Sequence, residues 1–199
     1  MVKAFYGLMI AGMLLFSSCA TTTLSGSWKD SAYQGTAKKT FVIMVAQKAY
    51  IRNSLEDQFT EALKARGNDA VSSYTIVPVE QLPDKETVAS KIKSTGADTV
   101  LVSRLVDKKT VETYVPGQTY VYPGYYGGWR SYYGTVVTSP GYTFESQYVY
   151  VETNLYDTKT DKLIWTAKSE TEMAASDQQL MKEFMNVMID RLAADKIIK

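Results

Sequence analysis

FVIMVAQKAYIRNSLEDQFTEALKARGNDAVSSYTIVPV, residues 41–79, carries three structural signals in a row. FVIMVA (41–46) is a short unbroken apolar run, the pattern of a strand buried on both faces. In the segment that follows, Ile51, Leu55, Phe59, Ala62 and Leu63 recur at helical spacing and form one stripe. Gly67 stands where a helix ends, because glycine enters the left-handed conformation without a Cβ penalty. AVSSYTIVPV (70–79) then reads as a second strand. Downstream, Pro83 and Asp84 open a second helix with Asp84 as its N-cap. Val88, Ala89 and Ile92 give its apolar face, and Gly96 ends it. ADTVLVSRLVD (97–107) is a third buried strand. Strands alternating with helices in this way predict parallel strands joined by right-handed crossovers.

Beyond Asp107 the pattern changes. KKTVETYV (108–115) alternates, so it extends the third strand or begins a hairpin. SQYVYVETNLYD (146–157) places Val149, Val151, Thr153 and Leu155 on one face, and Tyr148, Tyr150, Glu152, Asn154 and Tyr156 on the other. TKTDK turns the chain into LIWTAKSETEM, which predicts an antiparallel hairpin. Ser176 and Gln179 form an S-x-x-Q capping box. The helix after it carries Leu180, Phe184, Val187, Met188, Arg191 and Leu192 on one stripe. The predicted fold class is α/β, a single domain with a mixed sheet in the order β-α-β-α-β-(Gly/Tyr insert)-β-β-α.

The N-terminus reads as an export signal. Lys3 precedes an apolar run from Ala4 to Phe16, and Ser17 and Ser18 stand before Cys19. That run is too short to span a bilayer, which takes about 20 residues. The sequence L-F-S-S-C resembles the bacterial lipobox. The resemblance implies that residues 1–18 are a signal peptide, that Cys19 carries acyl chains, and that Ala20 at the next position directs the chain to the outer membrane. Two acyl chains or more hold a protein stably at about 0.8 kcal/mol per buried CH₂. Residues 19–39 read as a flexible tether from lipidated Cys19, with Trp28 and Tyr33 pinning its end onto the domain. The α/β domain then covers 40–199, with a Gly/Tyr-rich insert at 116–143.

Composition narrows the chemistry. The chain of 199 residues has no histidine, one cysteine and a net charge of +1. The commonest general base, His-ligated metals, an intramolecular disulfide and Cys-based zinc sites are therefore excluded. No charge imbalance selects nucleic acid, and 110–150 holds Arg130 as its one basic residue. No nucleotide-binding glycine pattern occurs, and no cofactor is indicated. Asp157 and Asp161 in DTKTD lack the remaining calcium-loop ligands and read as a hairpin turn. Glu145 and Glu152 are the nearest carboxylate pair for a hydrolase, but seven residues along a strand places them on opposite faces. Arg104 interrupts a buried strand and must reach the surface or pair, with Asp98 or Glu152 as possible partners.

Ten of the fifteen tyrosines lie between 114 and 150, so the enrichment has a local cause. YPGYYGGWRSYYG (122–134) provides a candidate contact surface of Tyr122, Tyr125, Tyr126, Trp129, Arg130, Tyr132 and Tyr133. Such rings stack on sugars or on partner side chains, and Arg130 adds a cation–π or charged hydrogen bond. Packing of the rings on their own sheet and disorder of the segment remain open readings.

Five segments carry a family resemblance: SWKDSAYQG (27–35), RNSLEDQF (52–59), SYTIVP (73–78), GADTVLVSRLVDKKTVETYVPG (96–117) and LYDTKTDKLIWTAKSET (155–171). On these the chain resembles a bacterial lipoprotein family of unknown function. Its element order looks like the N-terminal domain of the Tol-system protein, the lipoproteins that activate penicillin-binding proteins, and part of the curli secretion lipoprotein. The resemblance implies a non-enzymatic interaction or assembly module with an envelope protein as partner. Glycan or peptidoglycan binding through the insert is the alternative, and a carboxylate hydrolase a further one.

Overall fold

The computed structural model describes residues 21–82, 84–121 and 136–199. Cys19 and the seven aromatic and arginine candidates of the insert lie outside these residues.

Eight strands and three helices follow one another along the described chain. They are β1 (Thr22–Lys29), β2 (Lys39–Val45), α1 (Ala49–Ala65), β3 (Asp69–Ser72), α2 (Lys85–Thr95), β4 (Thr99–Val115), β5 (Gln118–Val121), β6 (Val136–Ser139), β7 (Tyr142–Asp157), β8 (Leu163–Glu172) and α3 (Asp177–Ala194). Six strands form one mixed sheet in the order β1-β8-β7-β4-β2-β3. β2 runs parallel to β3 and β4, as two crossovers require. β4, β7, β8 and β1 are successively antiparallel.

The sheet has two differently covered faces. On one, Val42, Met44, Leu101, Leu155, Trp165 and Ala167 pack with Phe59 and Leu63 of α1 and with Phe184, Met188 and Leu192 of α3. The Phe59 and Phe184 rings meet at 5.8 Å between centroids, tilted by 58°. On the other, Phe41 and Ile43 are covered by Val77, Ala97 and the Val88 and Ile92 side chains of α2. The caps are as expected from sequence: Asp84 accepts from the Glu86 and Thr87 amides, Gly96 is left-handed, and Ser176 with Gln179 forms a capping box.

Three readings need correction. The stretch 19–39 is not all tether, because Thr22–Lys29 is a strand of the sheet, paired antiparallel with β8. Its residues are polar and show no alternation. What makes them a strand is the unpaired edge of β8, together with the buried hydrogen bond between the Thr22 and Thr171 hydroxyls at 2.9 Å. Tyr33 packs against the core, whereas Trp28 is 50 % exposed. Second, the strand read at 70–79 ends at Ser72, and Ser73–Thr75 forms a 3₁₀ turn.

Third, the inward face of α1 is wider than its apolar stripe: Phe59 and Leu63 are buried and Leu55 and Ala62 pack on the core as expected, but polar residues are buried beside them. Its buried residues are Arg52, Glu56, Phe59, Thr60 and Leu63. Glu56 Oε1 accepts from the Met44 amide at 3.0 Å, from Arg52 Nε at 3.0 Å and from the Ser73 hydroxyl at 2.7 Å. Glu56 Oε2 accepts from the Tyr74 amide at 2.7 Å. Arg52 Nη2 donates to Ser73 Oγ and to the Val77 carbonyl. This pair draws the chain after β3 into its turn, because the turn supplies the polar partners that two buried charges need.

β4 and β7 extend beyond the body. β2 ends opposite Arg104, and β8 ends opposite Tyr148. Asp107–Val115 therefore pairs with β7 alone, through Tyr142–Tyr150. Past the end of β8 the last six of these, Thr110–Val115 against Tyr142–Gln147, make a two-stranded arm about 20 Å long. Val115↔Tyr142 and Gln118↔Ser139 bracket Pro116-Gly117 and Pro140-Gly141, so both strands break at the same level. Proline cannot donate to the ladder. A Cβ on Gly117 would lie 2.5 Å from the Ser139 carbonyl oxygen, so no larger residue fits there. The described part of the insert beyond this break is a second ladder, β5 with β6.

Candidate functional site, an uncovered aromatic sheet face

The two-residue alternation of β7 sorts its side chains as the sequence predicts. Leu155 and Thr153 are buried against the helices, and Val151 packs beside them. Tyr148, Tyr150, Glu152, Asn154 and Tyr156 point to the side of α2. No described helix packs on this side of β7, β8 and β1. α2 is short and covers β3, β2 and β4, so the sheet continues past it with its second face open.

Register shows what shares that face. Arg104, Glu152 and Lys168 form one cross-strand row, and Val102, Asn154, Thr166 and Trp28 form the next. Arg104 Nη2 lies 3.7 Å from Glu152 Oε2, which settles the partner of Arg104. With Arg104 60 % exposed, this is a screened surface pair and contributes little to stability. Asp98, the other candidate, accepts from the Lys38 and Lys39 amides and locks the start of β2. Asn154 Nδ2 donates to Glu152 Oε1 at 3.0 Å, while Asn154 Oδ1 is buried without a hydrogen-bond partner. Lys109 Nζ sits 5.1 Å from the Tyr150 ring centroid. Burial pushes the Tyr150 phenol up, and the Glu170 charge adds to the rise against the opposing Lys109 ammonium.

The open face runs on along the arm. Val111, Thr113 and Val115 pair with Ser146, Phe144 and Tyr142, on the same side as Tyr148 and Tyr150. Tyr142 is 60 % and Phe144 44 % exposed, with their rings 6.3 Å apart. One strand thus displays Tyr142, Phe144, Tyr148, Tyr150 and Tyr156 along a single side. Adjacent to Tyr156, a shallow groove runs under the edge of α2, lined by Ala89, Ile92, Lys93, Val100 and Asp161.

The sequence singled out the tyrosines of 122–133, which lie outside the described residues, and missed this row. The alternation in 146–157 was visible, but it does not say which face a helix covers. The remaining candidates separate. Glu145 pairs with Glu112 on the opposite side from Glu152, so the register does not bring the two carboxylates together. Asp157 accepts from the Lys159 and Thr160 amides and the Thr160 hydroxyl. Burial raises its carboxyl, but these bonds outweigh that and hold it below the usual range. Its oxygens serve the turn of the β7–β8 hairpin.

No family model matches the chain, and no curated protein does. Among solved structures, a single-residue variant of PelC from Paraburkholderia phytofirmans, a dodecamer, superposes with a TM-score of 0.49 at 14% identity, covering 84% of this chain and 96% of that one. Lipoprotein GNA1162 from Neisseria meningitidis gives 0.42 at 10%, over 78% and 98%. A putative neuraminyllactose-binding hemagglutinin homolog from Helicobacter pylori gives 0.34 at 11%, over 83% and 93%. The chain is similar to these proteins at a level that carries no functional argument.

Proposed function

We propose that the chain is a lipid-anchored, non-enzymatic interaction module of the cell envelope. It is held at the outer membrane by acyl chains on Cys19, faces the periplasm, and binds another envelope protein through its open face. The observation that carries this reading is the row of rings from Tyr156 to Tyr142, uncovered on the body and continued along the arm. Tyr142 and Phe144 are exposed and Tyr148, Tyr150 and Tyr156 half-buried, and an aromatic-rich face of this kind marks an interaction surface. The export signal and the lipobox-like stretch support the anchor. Among the described residues no helix is long and apolar enough to cross a membrane.

The test is cross-linking in intact envelopes, comparing the parent with Val111→Ser/Tyr142→Ser/Phe144→Ser. All three residues are exposed, so each change should alter stability by no more than about 0.5 kcal/mol. The parent should give a defined heterologous adduct that the triple variant loses. An adduct of equal yield in the variant rejects the face as the contact. Mass spectrometry of the parent should show acylated Cys19, and an unmodified N-terminus rejects the anchor.

Glycan binding is the second reading. Tyr148, Tyr150 and Tyr156 lie beside Asn154, whose carbonyl oxygen lacks a partner, and beside Glu152. Half-buried rings flanked by polar side chains suit a sugar. The chain should then be retained on purified sacculi, and Tyr148→Ala/Tyr150→Ala should release it. Equal retention of the variant rejects this reading.

A further inference from the structure

We propose that the free edge of β4 joins a second copy of this chain, forming one continuous antiparallel sheet across a two-fold axis at Thr110. This goes beyond the envelope-contact reading, which concerns the open face and not the strand edge.

The edge is bounded at both ends. β2 stops opposite Arg104, and β4 itself stops at Val115 before Pro116. From Leu105 to Val115 the strand has β7 on one side and no described strand on the other. Its outward amides and carbonyls are a template for another strand. A two-stranded ribbon is marginal in water, and a third strand stabilises it. The midpoint of 105–115 is residue 110. An antiparallel partner filling this edge without overlapping β2 is therefore centred on Thr110 in both copies.

The side chains agree with that centre. Pairing about Thr110 sets Lys108 opposite Glu112 of the second copy, twice by symmetry. Neither Lys108 nor Glu112 has an ion-pair partner among the described residues of its own chain. Glu112 instead faces Glu145 across the ladder, a like-charge pair that is unfavourable in itself. A lysine arriving on its other side relieves that repulsion. The same register sets Val106 opposite Tyr114 and Lys109 opposite Val111, and regular pairing ends there, because the bulge between Leu105 and Asp107 turns Leu105 to the other face from Val115. Leu105, Val106, Val111 and Tyr114 are all large and exposed, at 55, 43, 43 and 65 %. A shift by one residue would move every side chain to the opposite face and separate both charge pairs. The two lysines repel unrelated strands that bring no acid to this position. The arm's other free edge, Tyr142–Ser146, has its midpoint at Phe144. There it would set Thr143 opposite Glu145, with no complementary charge. An isologous contact of the β4 edge closes after two copies.

The experiment uses the full chain expressed in a bacterial envelope, with disulfide cross-linking read on non-reducing gels. Thr110→Cys places two thiols directly across the axis. Thr113→Cys is the control, because two copies of residue 113 would be six positions apart, about 20 Å. A disulfide needs Cα atoms within about 7 Å. Thr110→Cys should give at least about tenfold more dimer than Thr113→Cys. Adding Lys108→Glu to Thr110→Cys should lower the dimer about fivefold or more, and adding Glu112→Lys as well should restore it. Equal yields from Thr110→Cys and Thr113→Cys overturn the proposal. So does a double charge swap that cross-links no better than Lys108→Glu alone. Either result leaves the aromatic face and its heterologous adduct untouched.

Discussion

Glu56→Ala should destabilise the protein by about 3–5 kcal/mol, a large share of its stability. Glu56 is 0 % exposed, and its oxygens accept from four donors on three elements: β2, α1 and the turn after β3. Removing it leaves the Arg52 guanidinium buried at 3 % exposure with Ser73 and the Val77 carbonyl but no counter-charge. Breaking one partner of such a pair costs about 3–5 kcal/mol. Whole domains have about 5–15 kcal/mol to lose. Glu56→Gln should cost less but still destabilise. Its amide NH₂ must replace an acceptor either at Tyr74 N or at the Met44–Arg52–Ser73 group. Arg52→Met alone should also destabilise, and Arg52→Met/Glu56→Leu should lose less than the two single changes summed. Urea unfolding followed by circular dichroism measures all four. A loss below about 1 kcal/mol for Glu56→Ala would mean that water reaches the site and the burial is not what holds it.

Trp165→Ala should have a comparable effect for a different reason. Trp165 is 0 % exposed at the centre of the sheet face covered by α1 and α3. A buried aromatic cut to alanine costs about 3–5 kcal/mol, from lost transfer energy and the cavity left behind. Its indole N–H also donates to Asp195 Oδ2 at 2.8 Å, which ties β8 to the residue just past α3. Asp195 would keep the Arg191 Nε bond at 2.9 Å, so its carboxylate would not be orphaned. Trp165→Phe should cost noticeably less, since most of the ring is kept and one hydrogen bond is lost. For a domain of this size, 1 kcal/mol is about 2–4 °C in Tm, so Trp165→Ala should lower Tm by about 6–20 °C. A shift under about 3 °C would show that the core closes over the space without cost.

The contrast between these residues shows what a sequence can disclose. Trp165 stands in LIWTAK, an apolar patch that any hydropathy reading would place inside. Arg52 and Glu56 stand at i and i+4 on a helix, the spacing of an ordinary exposed ion pair. Nothing local distinguishes the buried version. The stripe of Leu55, Phe59, Ala62 and Leu63 does meet the core, so the helix and most of its inward face are legible, but the burial of Arg52 and Glu56 beside that stripe is not. That burial is set by the donors the pair meets: the Met44 amide at the end of β2 and the 3₁₀ turn beyond Ser72.

Strand β1 is a second case. TTLSGSWK has neither alternation nor an apolar run, and it read as tether. It becomes a strand because the edge of β8 has backbone groups to pair. The aromatic face is a third. Periodicity divided β7 into two sides correctly, and drew attention to tyrosine. The choice of site fell on residues 122–133 because composition is densest there. The open face was missed because its rings, Tyr142, Phe144, Tyr148, Tyr150 and Tyr156, are spread along β7 and alternate with side chains of the other face.

By itself, then, the amino-acid sequence determined the strand–helix alternation, the parallel crossovers, the β7–β8 hairpin, the helix caps at Asp84, Gly96 and Ser176, and the two sides of β7. These follow from periods and caps, which are local and act within a few residues. Tertiary structure alone decided the inward turn of Arg52 and Glu56, the recruitment of Thr22–Lys29 into the sheet, and which side of β7 stays bare. Each depends on a partner distant in sequence: a backbone edge to pair, donors to surround a buried charge, or a helix too short to cover the whole sheet.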